Sequence, residues 1–184
     1  MSRRRILGIA GAPGAGKTTY AERLVAESTV PAVHLPMDGF HLADVSLLRL
    51  GLLDRKGAPE TFDAWGYAAL LARVRESTTT VWAPGFERTL EQPIAGAITV
   101  PPGAAIVVTE GNYLLVPTWK DVREALDEVW FVECPDDVRH ERLVRRHVEF
   151  GKSEADARAW VDSVDEPNAQ RIIAHRDSAD LVVS

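Results

Sequence analysis

The sequence predicts an α/β domain built on a doubly wound parallel sheet. Three observations predict it. A glycine-rich segment, Gly11-Ala12-Pro13-Gly14-Ala15-Gly16-Lys17-Thr18, separates an apolar run at 5–10 from a stretch with helical spacing at 19–27. The run at 104–109 is almost wholly apolar, as a strand buried on both faces requires. Strand-like and helical segments then alternate to residue 183, which argues βαβ units with insertions.

The glycine-rich segment fits G-x-x-x-x-G-K-[ST], and the flanking strand and helix are the context that gives this motif meaning. Glycines let successive N–H groups curl toward an anion, and the positive end of the helix dipole faces the same point. Lys17 reaches β- and γ-phosphates and the Thr18 hydroxyl ligates Mg²⁺. Gly11, Ala12, Pro13, Gly14, Ala15, Gly16, Lys17, Thr18 and Thr19 are therefore the expected nucleotide-binding residues.

Residues 32–35 predict a second strand, with Asp38 just past its carboxyl end. Ligands of open α/β sheets bind outside the carboxyl ends of strands. A short apolar helix is expected over 46–53 and a loop over 55–63. Asp63 caps a helix over 64–76. The β-branched 78–82 predicts a strand, 84–93 a turn-rich loop, and 98–100 pairs back on 79–82 as a small hairpin. After 104–109 come Glu110-Gly111-Asn112-Tyr113, a helix over 121–127 and a strand over 129–132. A charged helix over 136–149 is stopped by Gly151. A helix over 153–164 is capped by Ser153, and a last helix (166–175) precedes a strand at 181–183. There is no repeat or linker, so a single domain is expected over 1–184.

The net charge of −6 argues against binding nucleic acid through a broad basic surface. Cys134 is the only cysteine, so no internal disulfide forms and a reducing compartment is the simplest setting. The basic start, Met1-Ser2-Arg3-Arg4-Arg5, is followed by an apolar run too short for a signal peptide or a membrane span. A cytoplasmic protein without membrane or nucleic-acid partners is expected; a homodimer stays open.

Three constellations point at the phosphate loop. Glu110 ends an apolar strand, where proteins with this loop keep the carboxylate that orders Mg²⁺ directly or through water; the usual residue is Asp. Asp38 suits an alcohol acceptor, whose hydroxyl proton needs a carboxylate to receive it; an ionised phosphate acceptor has no such need. Asp-Gly is equally a common turn pair. Arg139, Arg142, Arg145 and Arg146 fall in one predicted helix, and the last three share a face at i, i+3 and i+4. They either stabilise a transferring phosphate or form a solvated face balanced by Glu141 and Glu149. Arg55 and Lys56 are candidates for an anionic ligand or a solvated loop, and the tryptophans are expected mainly in the core.

These motifs together resemble the P-loop kinase family of uridine kinase, phosphoribulokinase and bacterial-type pantothenate kinase. The residues that carry the resemblance are Gly11 to Thr18, Met37-Asp38-Gly39-Phe40-His41, Thr61-Phe62-Asp63, Glu110 to Tyr113, and the arginine-rich stretch near Arg142 to His147. The resemblance implies a P-loop NTPase fold with five strands in the order 2-3-1-4-5, a small hairpin insertion and an arginine-rich helical lid over about 136–165. It implies ATP as donor, Asp38 as base, and an acceptor held near Phe86, Arg88 and Glu91. Phe40, His41 and Tyr113 join that acceptor set, with core packing as the other reading of Phe40 and His41.

The expected activity is transfer of the γ-phosphate of ATP, with Mg²⁺, to a hydroxyl of a small nucleoside-, sugar- or pantothenate-like metabolite. Lys17, Asp38, Arg142 and Arg146 are its catalytic residues, and Thr18 and Glu110 its metal ligands. The phosphate loop alone fits a nucleotide switch or ATPase acting through a protein partner equally well. A nucleoside monophosphate kinase is disfavoured, because Asp38 would repel an ionised acceptor.

Overall fold

The computed structural model describes residues 3–184. Met1 and Ser2 of the basic start lie outside the described residues. In chain order the elements are β1 (Arg5–Ala10), α1 (Lys17–Ala26), β2 (Ala32–Pro36), α2 (Asp44–Leu50), α3 (Ala64–Glu76), β3 (Val81–Glu87), β4 (Gln92–Val100), β5 (Ile106–Glu110), α4 (Lys120–Glu124), β6 (Glu128–Val132), α5 (Asp136–Glu149), α6 (Glu154–Trp160), α7 (Glu166–Ile173) and β7 (Leu181–Val183).

Five strands form one parallel sheet in the order β2-β5-β1-β6-β7, which is 2-3-1-4-5 when only its own strands are counted. β1 is central and buried after Arg5. Its alternate residues feed two cores, as the period of two requires. Ile6 and Ala10 join Leu35, Tyr67, Leu71 and Trp119 on one face. Leu7 and Ile9 join Ala21, Val108 and Val132 under α1 on the other. Every parallel strand thus points its carboxyl end at the rim where Gly11–Thr18, Asp38 and Glu110 emerge.

Several boundaries differ from the sequence reading. The segment over 84–93 is not a loop: β3 and β4 pair from Val81↔Val100 to Glu87↔Gln92, leaving only residues 88–91 as the turn. The ladder is irregular between Ala83 and Gly85, where Pro84 has no N–H to give. β5 starts two residues later than expected and includes Glu110. α4 stops at Glu124, because Asp127 is drawn into the sheet: its N–H donates to Ile6 O and its carboxylate accepts the Ile6 N–H at 2.7 Å. The two helices expected over 153–164 and 166–175 are continuous, joined by a wide π turn over Val161–Asp165.

Arg4 of the basic start is a buried structural residue. Its guanidinium donates to the carbonyls of Val74, Ala104, Pro101 and Pro102. Trp119 is the tryptophan of the main core, whereas Trp65 and Trp82 are exposed. Among the described residues no helix is long and apolar enough to cross a membrane.

Candidate active site

The loop between β1 and α1 takes its shape from glycines in the left-handed region: Gly14 at φ 78° and Gly16, which caps α1, at φ 94°. Ala12 and Ala15 are buried, and neither they nor Gly11 brings a side chain to the cleft. Pro13, Gly14, Gly16, Lys17, Thr18 and Thr19 line the cleft. Lys17 is only 8% exposed, and its ammonium donates to Ala12 O at 3.0 Å. A carbonyl satisfies one of three N–H groups and none of the charge. Burial therefore lowers Lys17 to about 8, against the pull of Glu110 and Asp38.

Glu110 enters from the end of β5, 5% exposed, and accepts the Thr18 hydroxyl at 3.0 Å. Burial, reinforced by the Asp38 charge, raises its carboxyl to about 7, with Lys17 pulling the other way. A buried cation and a buried carboxylate thus stand together at the glycine-bent loop. That donor set fits a polyphosphate with a divalent cation between its oxygens and the Thr18–Glu110 pair. Among the described residues no cluster of three His, Cys, Asp or Glu side chains could hold a metal by itself, so such a cation would draw its remaining ligands from phosphate oxygens and water.

Asp38 stands on a single 3₁₀ turn, Met37–Phe40, immediately beyond β2. It faces the same cleft, 29% exposed at the side chain, and pairs with Arg88 at 3.2 Å. Gly39 makes this arrangement possible: a Cβ there would lie 2.3 Å from Pro84 O, so β3 rests directly on the turn. His41 is stacked between Phe62 at 4.0 Å and Phe86 at 4.7 Å, and its Nδ1 meets Asp38 O at 2.9 Å. Burial lowers its pKa, against the Asp38 charge. Lys56 reaches across to Asp44 at 2.7 Å and to the Glu91 carbonyl, fixing the hairpin tip.

Phe40 is not brought to the cleft. It is buried against Tyr67, ring centroids 4.8 Å apart, because the 3₁₀ turn points it into the core. Tyr113 is buried too and reaches the cleft only as wall, its hydroxyl donating to Gly57 O at 2.5 Å. His41, Phe86, Arg88 and Glu91 all line the cleft.

α5 crosses above the phosphate loop. Arg142 donates to Gly14 O at 3.3 Å, and Arg146 lines the cleft one turn on, adding its charge to the field at Lys17. Arg145 points outward toward Glu149. The cleft that joins loop, Asp38, hairpin tip and these arginines has a volume of about 730 Å³.

Two things escaped the sequence reading: the anchoring role of Arg139, which that reading placed on the arginine-rich helix, and the far wall of the cleft. Arg139 is an anchor, 1% exposed, paired with Asp136 at 2.9 Å and Glu166 at 2.7 Å and touching Pro13 O at 3.4 Å; Asp136 three residues before it was the available signal. The far wall is made by Lys152, Trp160, Asp165 and Asn168. Lys152 lies over the Trp160 ring at 4.3 Å, and Asp165 Oδ2 meets His147 Nε2 at 2.7 Å. These residues converge through the π turn, which no spacing rule reveals.

Residues 6–184 match the model of the phosphoribulokinase/uridine kinase family. The uncharacterised protein YggC of Escherichia coli K12 is 34% identical over 188 residues, 98% of this chain and 78% of that protein. The "ATP-dependent kinase-like protein notR'" of Aspergillus versicolor is 34% identical over 152 residues, 76% of this chain and 88% of that one. A crystal structure from Silicibacter sp. TM1040, described as a "putative fructose transport system kinase", superposes with a TM-score of 0.92 at 38% identity, covering 100% of this chain and 91% of the other. With the loop, the strand-end carboxylates and the arginine helix in one cleft, the match over nearly the whole length has a structural basis: this chain belongs to the phosphoribulokinase/uridine kinase family.

Proposed function

We propose that this protein is an ATP-dependent kinase that moves the γ-phosphate to a hydroxyl of a small metabolite, with Asp38 as the base. Membership of a kinase family supports the reaction class. The observation that carries the residue assignment is that Asp38 and Lys17 face one cleft, close enough for the Asp38 charge to act on Lys17.

The chemistry follows from that arrangement. The Gly14–Thr18 amides and Lys17 hold the β- and γ-phosphates. The acceptor oxygen attacks the γ-phosphorus, the bond to the β-phosphate oxygen breaks, and ADP leaves with that electron pair. Asp38 takes the hydroxyl proton. Arg142 and Arg146 stabilise charge spread over the transferring group, and α5 closing on the loop excludes water. Thr18 and Glu110 are the residues that would hold Mg²⁺, which when bound neutralises charge on the β- and γ-oxygens. A reducing cytoplasm suits the lone Cys134.

The test is ADP release over a panel of nucleosides, sugars and hydroxy acids, each against a no-acceptor blank. A hexose belongs in it because of the fructose named for the Silicibacter protein. Release above blank, with a phosphomonoester formed in equal amount, is expected for at least one acceptor. Hydrolysis indifferent to every alcohol but stimulated by a protein would overturn the reading.

A further inference from the structure

We infer that the acceptor is an anionic alcohol, carrying a carboxylate or phosphate that Arg88 binds while Asp38 receives the proton from its hydroxyl. The inference rests on the kinase reading and narrows it to a substrate class.

Arg88 and Asp38 meet through one nitrogen and one oxygen at 3.2 Å, with the Arg88 side chain 47% exposed. An arginine fork matches an anion with two parallel bonds, so this single contact leaves most of its donors unused. The pair also obstructs the reaction. One of the two Asp38 carboxylate oxygens, Oδ2, is taken up by the guanidinium and so does not meet an acceptor hydroxyl. A neutral alcohol offers Arg88 nothing in exchange. An acceptor with its own anion takes over the guanidinium and frees Asp38 for its hydroxyl, replacing one ion pair by a better one.

The tip is built to aim this residue. Glu87 accepts both the N–H and the hydroxyl of Thr89, at 3.0 and 2.9 Å. Glu91, the non-glycine residue at φ 52°, has its carbonyl held by Lys56. β3 is seated on Gly39. The Glu87 carboxylate is thus engaged elsewhere, while the Glu91 side chain lines the cleft. The lid arginine Arg142, on the opposite wall at Gly14, serves the donor side; on the acceptor side Lys56 is already held by Asp44 and the Glu91 carbonyl, which leaves Arg88 as the cation with donors to spare.

The experiment uses matched probes on the full chain with ADP and Mg²⁺ present: 3-hydroxypropionate against 3-hydroxypropionamide, and glycerol 3-phosphate against glycerol, read by saturation-transfer NMR. At least one anion is expected to bind, its neutral partner about 10- to 100-fold more weakly. Arg88→Gln should lose the same factor and Arg88→Lys should restore part of it. Which anion binds separates carboxylate from phosphate. Equal binding of the neutral partners, no binding of either anion, or an Arg88→Gln protein that holds the anion as the wild type does, would each overturn the inference. So would an Arg88→Gln loss confined to ADP. Phosphoryl transfer is scored separately by ³¹P NMR. Transfer to neutral alcohols alone sinks this inference and spares the kinase; ATP hydrolysis without any phosphomonoester, while Arg88 still holds the anion, sinks the kinase reading instead.

Discussion

Thr18 Oγ1 donates to Glu110 Oε1 across 3.0 Å, so the loop hydroxyl and the last residue of β5 already stand face to face. Two neighbouring oxygens on an octahedral Mg²⁺, each ~2.1 Å from the ion, are themselves about 3 Å apart. The pair is thus set at the spacing a cation would impose, and a hydrogen bond holds it there.

Glu110→Gln tests what that carboxylate costs the nucleotide-free protein. Its carboxyl is raised from 4.5 to about 7 by burial and by Asp38. From pH 4.5 to 7 the folded state therefore binds more protons than the unfolded, and stability falls as pH rises. Lys17, lowered by burial from 10.5 to about 8, acts in the other sense: its share of stability falls as pH drops from 10.5 toward 8. Near pH 8 Glu110 is mostly charged and Lys17 about half so, and both are dry. Glu110→Gln should raise stability at pH 8 by about 1–3 kcal/mol in denaturant melts, less what Lys17 loses as its partner goes, and the gain should vanish by about pH 4.5. The Mg²⁺-dependent rise in melting temperature with ADP should disappear in the same protein. A destabilised variant at pH 8 would show that the carboxylate is net favourable without ligand.

Asp38→Asn keeps the size of the side chain and removes its basicity. Phosphoryl transfer should fall by about 10²- to 10⁴-fold, while ATP affinity, measured by nucleotide fluorescence, stays within a few-fold. Equal loss of both would make Asp38 a structural residue of the turn.

Gly39→Ala places a methyl 2.3 Å from Pro84 O and 2.7 Å from Pro84 C. Backbone cannot swing aside as a side chain can, so β3 must lift from the turn. A cost of about 1–3 kcal/mol is expected. The acceptor KM should rise more than the ATP KM, because the hairpin carries Phe86 and Arg88 but none of the phosphate loop. An unchanged acceptor KM would detach the hairpin from the acceptor site.

These residues also mark how far the sequence was legible. The loop, β1 and the Asp38 turn were readable because local chemistry dictates them: glycines for left-handed backbone, an apolar run for a central strand. Asp63 capping α3 through Gly66 N was readable for the same reason. The hairpin was shortened because prolines and charges over 84–93 look like a loop. It is a strand pair with an irregularity at Pro84 and one exposed face, where polarity is no guide. Phe40 was misplaced because a 3₁₀ turn rotates successive side chains by about 120°, so neighbours Asp38 and Phe40 point to cleft and core. The far wall was invisible, since Asp165 and Asn168 reach the cleft that Trp160 lines only across a π turn whose extra residue shifts the helix face.

Arg139 gives the last prediction, because it links three segments that the reaction must keep in register. It ties α5 to the loop through Pro13 O and to α7 through Glu166. Burial opposes ionisation of Glu166, but hydrogen bonds from Arg139, Gln170 and His140 overcome this and hold its carboxyl down at about 2, against an ordinary 4.5. A depressed carboxyl contributes stability that is present above pH 4.5 and lost as pH falls toward 2. Glu166→Gln should therefore flatten the acid limb of the stability profile while costing only about 1–2 kcal/mol at neutral pH, since Glu166 is partly exposed. Arg139→Met strands no charge in the interior but takes the guanidinium from Asp136 and Glu166, leaving Glu166 only His140 and Gln170, and drops the Pro13 contact; about 3 kcal/mol should be lost. The two substitutions should also lower kcat more than they raise the ATP KM, because α5 then carries Arg142 and Arg146 without a fixed base. Loss of stability with kcat untouched would show that the anchor holds the fold but not the lid.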